Sequence, residues 1–231
     1  MESRLDRLVN TSEEGLQRIS LCEPLRADIG LNRWLSKERE EAYSDWLEWI
    51  LAQLRVSDVL KVLGIAAHEV VAGSQSLKFE IKREYYIGAA GRLDLLLTLD
   101  KSMMVIVEVK KYSAESSDIQ KQAGYYEWLE GQQDFRQRRA VLLVPDAAEE
   151  KYENFSRLLW SDVCIRLRQL LPDLVRGIGP VKSAMFVAFI CTVETNLLSL
   201  VAPTPETDAV ERLSYARTIE HLEKYLRGGA L

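Results

Sequence analysis

Histidine is almost missing from this chain, with His68 and His221 the only two. A hydrolase built on a histidine base, or a metal centre built on imidazoles, has too few residues to draw on. Cysteine is nearly as sparse. Cys22, Cys164 and Cys191 are scattered, odd in number and without C-x-x-C spacing, which argues against zinc and against a disulfide framework, and for a reducing, cytoplasmic setting. Long apolar runs are missing too. The most apolar stretch, Ala184 to Val193, is too short to cross a bilayer and is followed by Glu194 and Asn196, so no membrane partner is expected. Met1 to Asp6 already holds three charged residues, which argues against a secretory leader. The chain also lacks an excess of positive charge. At a net charge of −5 its overall field does not attract nucleic acid, and any such affinity must come from a local basic patch. Phosphate-binding glycine loops, internal repeats and low-complexity tracts are absent as well.

What is present is enough apolar material for a proper core. With 231 residues, 47% of them hydrophobic, one domain over 1–231 is the economical expectation. Its organising stretch runs from Gly91 to Tyr126. Two strand-like apolar runs there, LDLLLTL and MMVIVEV, contain or lead into charges: Asp94, Glu108 and Lys110. An ionised group set into an apolar strand loses hydration and persists only with a partner or a metal. Alternation puts Ile106, Glu108 and Lys110 on one face and Val105, Val107 and Val109 on the other. A hairpin across the turn at Asp100 to Ser102 brings Asp94 beside Glu108. Two carboxylates with the Val109 carbonyl then suit a hard divalent cation, Mg²⁺ or Mn²⁺.

Flanking segments read as follows. Residues 1–35 suggest two short helices. An amphipathic helix is expected from about Ser36 to Leu54, with Tyr43, Trp46, Leu47, Ile50, Leu51 and Leu54 as its apolar stripe. Glu41, Asp45 and Glu48 share another face, as a solvated acidic surface or as the source of one further metal ligand. A short helix near Ser57 to Leu63 ends at Gly64, and LKFEIKREYYI, from Leu77 to Ile87, alternates as a first strand. Glu84 on that strand is either an outer carboxylate of the site or an exposed polar residue. Arg92, two before Asp94, shares its face and suits a phosphate contact or charge neutralisation. A polar loop, Ser113 to Asp118, leads to a helix over Ile119 to Leu129, where Gln122 and Tyr126 lie one turn apart. Arg136, Arg138 and Arg139, with Lys111, are the local basic candidates for nucleic-acid contact, and they precede a strand at 140–145. Asp146 and Glu149 have capping-box spacing for a helix to about Leu159. Mostly helix is expected from Trp160 onward, punctuated by Pro172, by Gly177 to Pro180 and by Pro203 to Pro205, with a last helix opening at Thr204 to Glu206. These helices could cover the sheet, contact substrate or pair with a second copy in a homo-oligomer.

Asp94, then Glu108-Val109-Lys110 at the end of an apolar strand, resembles the PD-(D/E)XK nuclease superfamily, in its RecB-like and lambda-exonuclease-like branch. Gln122 and Tyr126 match the Q-x-x-x-Y that many RecB-like members carry on the next helix. EEAYSDWLEWIL is similar to a helix of some uncharacterised bacterial members, which makes Glu41 the best helix carboxylate, ahead of Glu40 and Asp45. The resemblance covers roughly 36–145 and implies an α/β, restriction-endonuclease-like core. That core has a central mixed sheet of about four strands flanked by helices, with extra helices at 1–35 and 146–231. It implies a Mg²⁺- or Mn²⁺-dependent nuclease acting on phosphodiester bonds, in DNA first of all. Asp94, Glu108, Val109 and Glu41 would hold the cation, Lys110 would place or activate the attacking water, and Gln122 and Tyr126 would assist. The alternative is a nuclease fold without cleavage, serving as a nucleic-acid-binding or assembly module.

Overall fold

The computed structural model describes residues 35, 40–66, 78–111, 116–145 and 154–198, with 209 and 213. The expected N-terminal helices, the capping-box pair Asp146 and Glu149, and the last helix from Thr204 lie outside these residues. Within them the elements run α1 (Glu40–Ala52), α2 (Val56–Val62), β1 (Phe79–Tyr86), β2 (Arg92–Leu99), β3 (Met103–Val109), α3 (Ser116–Glu130), β4 (Gln137–Val144), β5 (Ser156–Leu159), α4 (Trp160–Gly177) and α5 (Pro180–Asn196). The chain divides into two compact units, Glu38–Leu170 and the combination of Met1–Lys37 with Leu171–Leu231.

The first unit is α/β. Its five strands lie in sequence order, β1-β2-β3-β4-β5. The hairpins β1/β2 and β2/β3 are antiparallel, and β3/β4 and β4/β5 are parallel. The β2–β3 hairpin turns over Asp100 to Ser102, where the Ser102 N–H donates to Leu99 O at 3.0 Å. Central β3 is buried at every position, as a strand must be when helices cover both faces of the sheet, and this explains its unbroken apolar run. On one face Leu96, Met104, Ile106, Ala140, Leu142 and Val144 pack with Tyr125 and Leu129 of α3. On the other, α2 and the residue after it place Val59, Leu60 and Leu63 against Leu97, Met103 and Val105, while α1 contacts β1, β2 and β3.

Three boundaries differ from the sequence pattern. The helix after β3 starts at Ser116, inside the expected loop. Arg138 and Arg139 belong to β4, which begins at Gln137. The segment expected to finish a helix at Leu159 is instead a fifth strand, with Leu158 paired beside Leu143. Four residues are too few to show a period of two, and the edge of β4 supplies the partner that makes SRLL extended. Pro172 does not interrupt α4, which runs to Gly177. In the second unit Pro180 opens α5 at its first position, and Phe186, Phe189 and Val193 are fully buried. No helix among the described residues is long and apolar enough to cross a membrane.

Candidate active site at the end of strand β3

The β2–β3 ladder ends at Leu95↔Val107, so the next step of the same register sets Asp94 opposite Glu108. There the backbone pairing gives way to a side chain, as Asp94 Oδ2 accepts the Val109 N–H at 2.7 Å. Glu108 and Lys110, two apart in the chain, share a face, and Lys110 Nζ lies 3.1 Å from Glu108 Oε1. Glu108 and Lys110 are buried, 8% and 7% exposed, and Asp94 beside them is partly buried. Glu108 Oε2 has no hydrogen-bond partner.

Burial dominates the electrostatics. It raises Asp94 from 3.8 to about 6, against the Val109 hydrogen bond and the Lys110 charge, with Glu40 and Glu41 adding repulsion. Burial, and then the Asp94 charge, raise Glu108 from 4.5 to about 8 despite Lys110. One ammonium does not offset two buried carboxylates. A divalent cation would do so, and the orphaned Glu108 oxygen is a ligand atom without a present task. Asp94, Glu108 and the Val109 carbonyl therefore fit a hard cation. Among the described residues no group of three or more His, Cys, Asp or Glu side chains gathers as a ligand set.

The surroundings sort the remaining candidates. The helix carboxylate that touches the site is Glu40, at the start of α1, with Oε2 3.3 Å from Lys110 Nζ and Oε1 accepting the Lys111 N–H at 2.9 Å. Glu41 acts on Asp94 only through its charge, and its carbonyl accepts the Ser44 hydroxyl at 2.9 Å. Asp45 pairs with Arg83, and Glu84 pairs with both Arg83 and Arg92. Arg92 is half-exposed and 2.9 Å from Glu84. The Lys111 ammonium sits 5.8 Å above the Tyr43 ring.

Gln122 is 3% exposed with both amide atoms unpartnered, while Tyr126 packs half-buried against the α3 face of the core. It is Tyr125 whose hydroxyl, donating to Arg92 O at 2.9 Å, feels the carboxylates. Its ionisation is pushed up by burial, then by Glu108 and Asp94. The signal for Tyr125 was available, since it lies at i+3 from Gln122 on the apolar side of α3. The arginines before and within β4 are not brought to the carboxylates. Arg138 pairs with Met104 and Arg139 with Val105, so Glu108 lies four residues, roughly 13 Å, farther along β3 from the Arg138 level. Arg136 is beside the hairpin turn, its N–H on Lys101 O at 3.1 Å. Two contacts had no signal in the sequence: Trp160 at the start of α4, whose indole N–H donates to Lys110 O at 3.1 Å, and the Lys110 N–H donating to Leu143 O at 2.8 Å.

A model of the PD-(D/E)XK nuclease superfamily matches residues 33–227. The chain belongs to that superfamily. Neither the curated proteins nor the solved structures compared with it gave a match. For a PD-(D/E)XK nuclease the mixed sheet and its helical covers are the expected architecture, and Asp94 with Glu108-Val109-Lys110 carries the residue types for which the superfamily is named. Membership points to phosphodiester hydrolysis, a nucleic-acid substrate and a divalent metal.

Proposed function

We propose that this protein is a Mg²⁺- or Mn²⁺-dependent nuclease that cleaves DNA, with Asp94, Glu108 and the Val109 carbonyl as cation ligands. The observation that supports this most directly is the desolvated carboxylate pair, raised to about 6 and about 8, with a single lysine 3.1 Å from Glu108. Such a pair is costly for the fold alone and is explained by the cation it would hold.

When bound, the cation would supply Lewis acidity, lowering the pKa of a coordinated water and offsetting charge on the phosphate. The protein groups do the rest. Asp94 is anchored to the Val109 N–H, so its carboxylate keeps a fixed position relative to Glu108. Lys110, held at Glu108, orients the attacking water and places positive charge where the phosphorane oxygens gain negative charge. Gln122 brings an unpartnered amide suited to a phosphate or to the lysine. Tyr126 adds a hydroxyl, and Arg92 a half-exposed guanidinium for the phosphate backbone. Glu41 adds negative charge near Asp94 and favours a cation there. The three scattered cysteines, Cys22, Cys164 and Cys191, without C-x-x-C spacing, fit a reducing compartment, the cytoplasm.

The test is digestion of plasmid and single-stranded DNA with Mg²⁺ or Mn²⁺, beside Asp94→Ala and Lys110→Ala. Cleavage by the wild type and its loss in both variants is expected. Cleavage surviving in both would remove the site assignment, and a wild type inert on all DNA and RNA would turn the reading toward a binding module.

A further inference from the structure

The peptide unit joining Lys110 to Lys111 is gripped at both ends. Its carbonyl accepts the Trp160 indole N–H at 3.1 Å, and its N–H donates to Glu40 Oε1 at 2.9 Å. The preceding peptide N–H, that of Lys110, donates to Leu143 O at 2.8 Å. Three elements therefore hold one residue: α1 through Glu40, β4 through Leu143 and α4 through Trp160. The Cα–Cβ bond of Lys110 springs from between two pinned peptide units, so its direction is set by those hydrogen bonds. Its far end is set as well, with Nζ 3.1 Å from Glu108 Oε1 and 3.3 Å from Glu40 Oε2. Trp160 is fully buried and packs edge-on against Tyr43 with ring centroids 6.2 Å apart. That packing leaves the indole little freedom, so the N–H is aimed in advance.

Glu40 uses its two oxygens on two different lysine groups, the Lys111 N–H and the Lys110 ammonium. It does not join Asp94 and Glu108 in a three-acid ligand set. We propose that Glu40 and Trp160 are positioning residues that together fix Lys110 for the reaction, and that Glu40 serves in this way instead of ligating the cation. This inference rests on the nuclease reading, because it assigns Lys110 a task worth fixing. The physical consequence is that loss of either grip lets the ammonium drift by a fraction of its hydrogen-bond length while the carboxylate pair stays intact.

The experiment uses the full chain as Glu40→Gln and as Trp160→Phe, with two readouts. Calorimetric titration with Ca²⁺ reports the carboxylate pair without turnover, and Mg²⁺-dependent DNA cleavage gives kcat and KM separately. Expected is Ca²⁺ affinity within about twofold of wild type in both variants, with kcat reduced roughly 10- to 100-fold and KM little changed. A tenfold or greater loss of Ca²⁺ affinity in Glu40→Gln would make Glu40 a ligand and overturn the proposal, as would wild-type kcat in either variant. If Trp160→Phe does not fold, Glu40→Gln, at a half-exposed position, still decides it. A wild type that cleaves no nucleic acid is the failure of the nuclease reading. The inference is then judged on amide exchange, where Glu40→Ala must lower protection of the Lys111 N–H at least about tenfold, and unchanged protection overturns it.

Discussion

Asp94 accepts the backbone N–H of Val109 at 2.7 Å, so an aspartate side chain continues the β2–β3 hairpin one step beyond its last backbone pair, Leu95↔Val107. The bond ties the partly buried Asp94 carboxylate to the strand that carries the buried Glu108. A rigid hairpin thereby keeps two like charges close, and the protein's response to pH and to cations follows from that closeness.

Metal-free protein should lose stability as pH rises. Burial lifts Asp94 from 3.8 to about 6, and burial with the Asp94 charge lifts Glu108 from 4.5 to about 8. The folded state thus binds these protons more tightly than the unfolded chain, the reverse of a salt-bridged surface carboxylate, and stability declines wherever the unfolded state is the less protonated. The decline starts above the ordinary values and is complete only above about 8, the value for Glu108. Denaturant titrations in chelator should show the midpoint falling from about pH 5 to about pH 8.5, and Glu108→Gln should remove the upper part of that fall. A midpoint that rises over this interval would contradict a buried carboxylate pair.

Ca²⁺ should reverse the loss. A ligand that binds only the folded state adds about 2.7 kcal/mol of stability at a hundred times its Kd. The gain should grow with pH as protons leave Asp94 and Glu108, and it should vanish in Asp94→Ala. Thermal melts with and without the ion measure it, and an equal shift in Asp94→Ala would place the cation elsewhere.

Gly91→Ala should destabilise the fold by about 1–3 kcal/mol. Gly91 has φ +113, and a Cβ there would lie 3.4 Å from the Tyr125 hydroxyl and 3.5 Å from its Cε1. Those are ordinary contacts, so the cost comes from the backbone, which an L residue adopts only with strain at this φ. Cleavage should fall together with the melting temperature, because Gly91 leads into β2 three residues before Asp94, and a neutral melt would refute the strain.

Gln122→Met should make the protein more stable and less active. Both amide atoms of Gln122 are buried without partners, and replacing such a group by an apolar one of similar size recovers about 1 kcal/mol or more. If the amide serves substrate or lysine, DNA cleavage falls while the unfolding midpoint rises. A drop in stability would mean that the amide has a structural partner.

Much of this was legible in advance because charges inside apolar strands are rare and the strand period is strict. Asp94, Glu108 and Lys110 announced themselves by their cost, and the turn at Asp100 announced the hairpin. The resemblance of EEAYSDWLEWIL to a family helix points to Glu41, whereas the carboxylate that contacts Lys110 and Lys111 is its neighbour Glu40, because a helix pattern does not give the reach of a side chain into another element. Arg136, Arg138 and Arg139 are candidates for nucleic-acid contact because they are basic and clustered, which says nothing of their distance from the carboxylates. The parallel crossover through α3 pairs Arg138 with Met104, at the opposite end of β3 from Glu108. The fifth strand was invisible for a related reason, since Ser156–Leu159 is extended by its partner β4 and not by its own pattern.

The sequence by itself determined the alternation that sets Glu108 and Lys110 on one face, the hairpin that returns Asp94 to them, and the motif order of the superfamily. These are local properties, governed by a period of two and a three-residue turn. Only the tertiary structure decided which helix carboxylate meets Lys110 and that Trp160 takes its carbonyl. Each of those contacts joins segments whose approach is set by the packing of whole elements against the sheet, and no spacing along the chain encodes it.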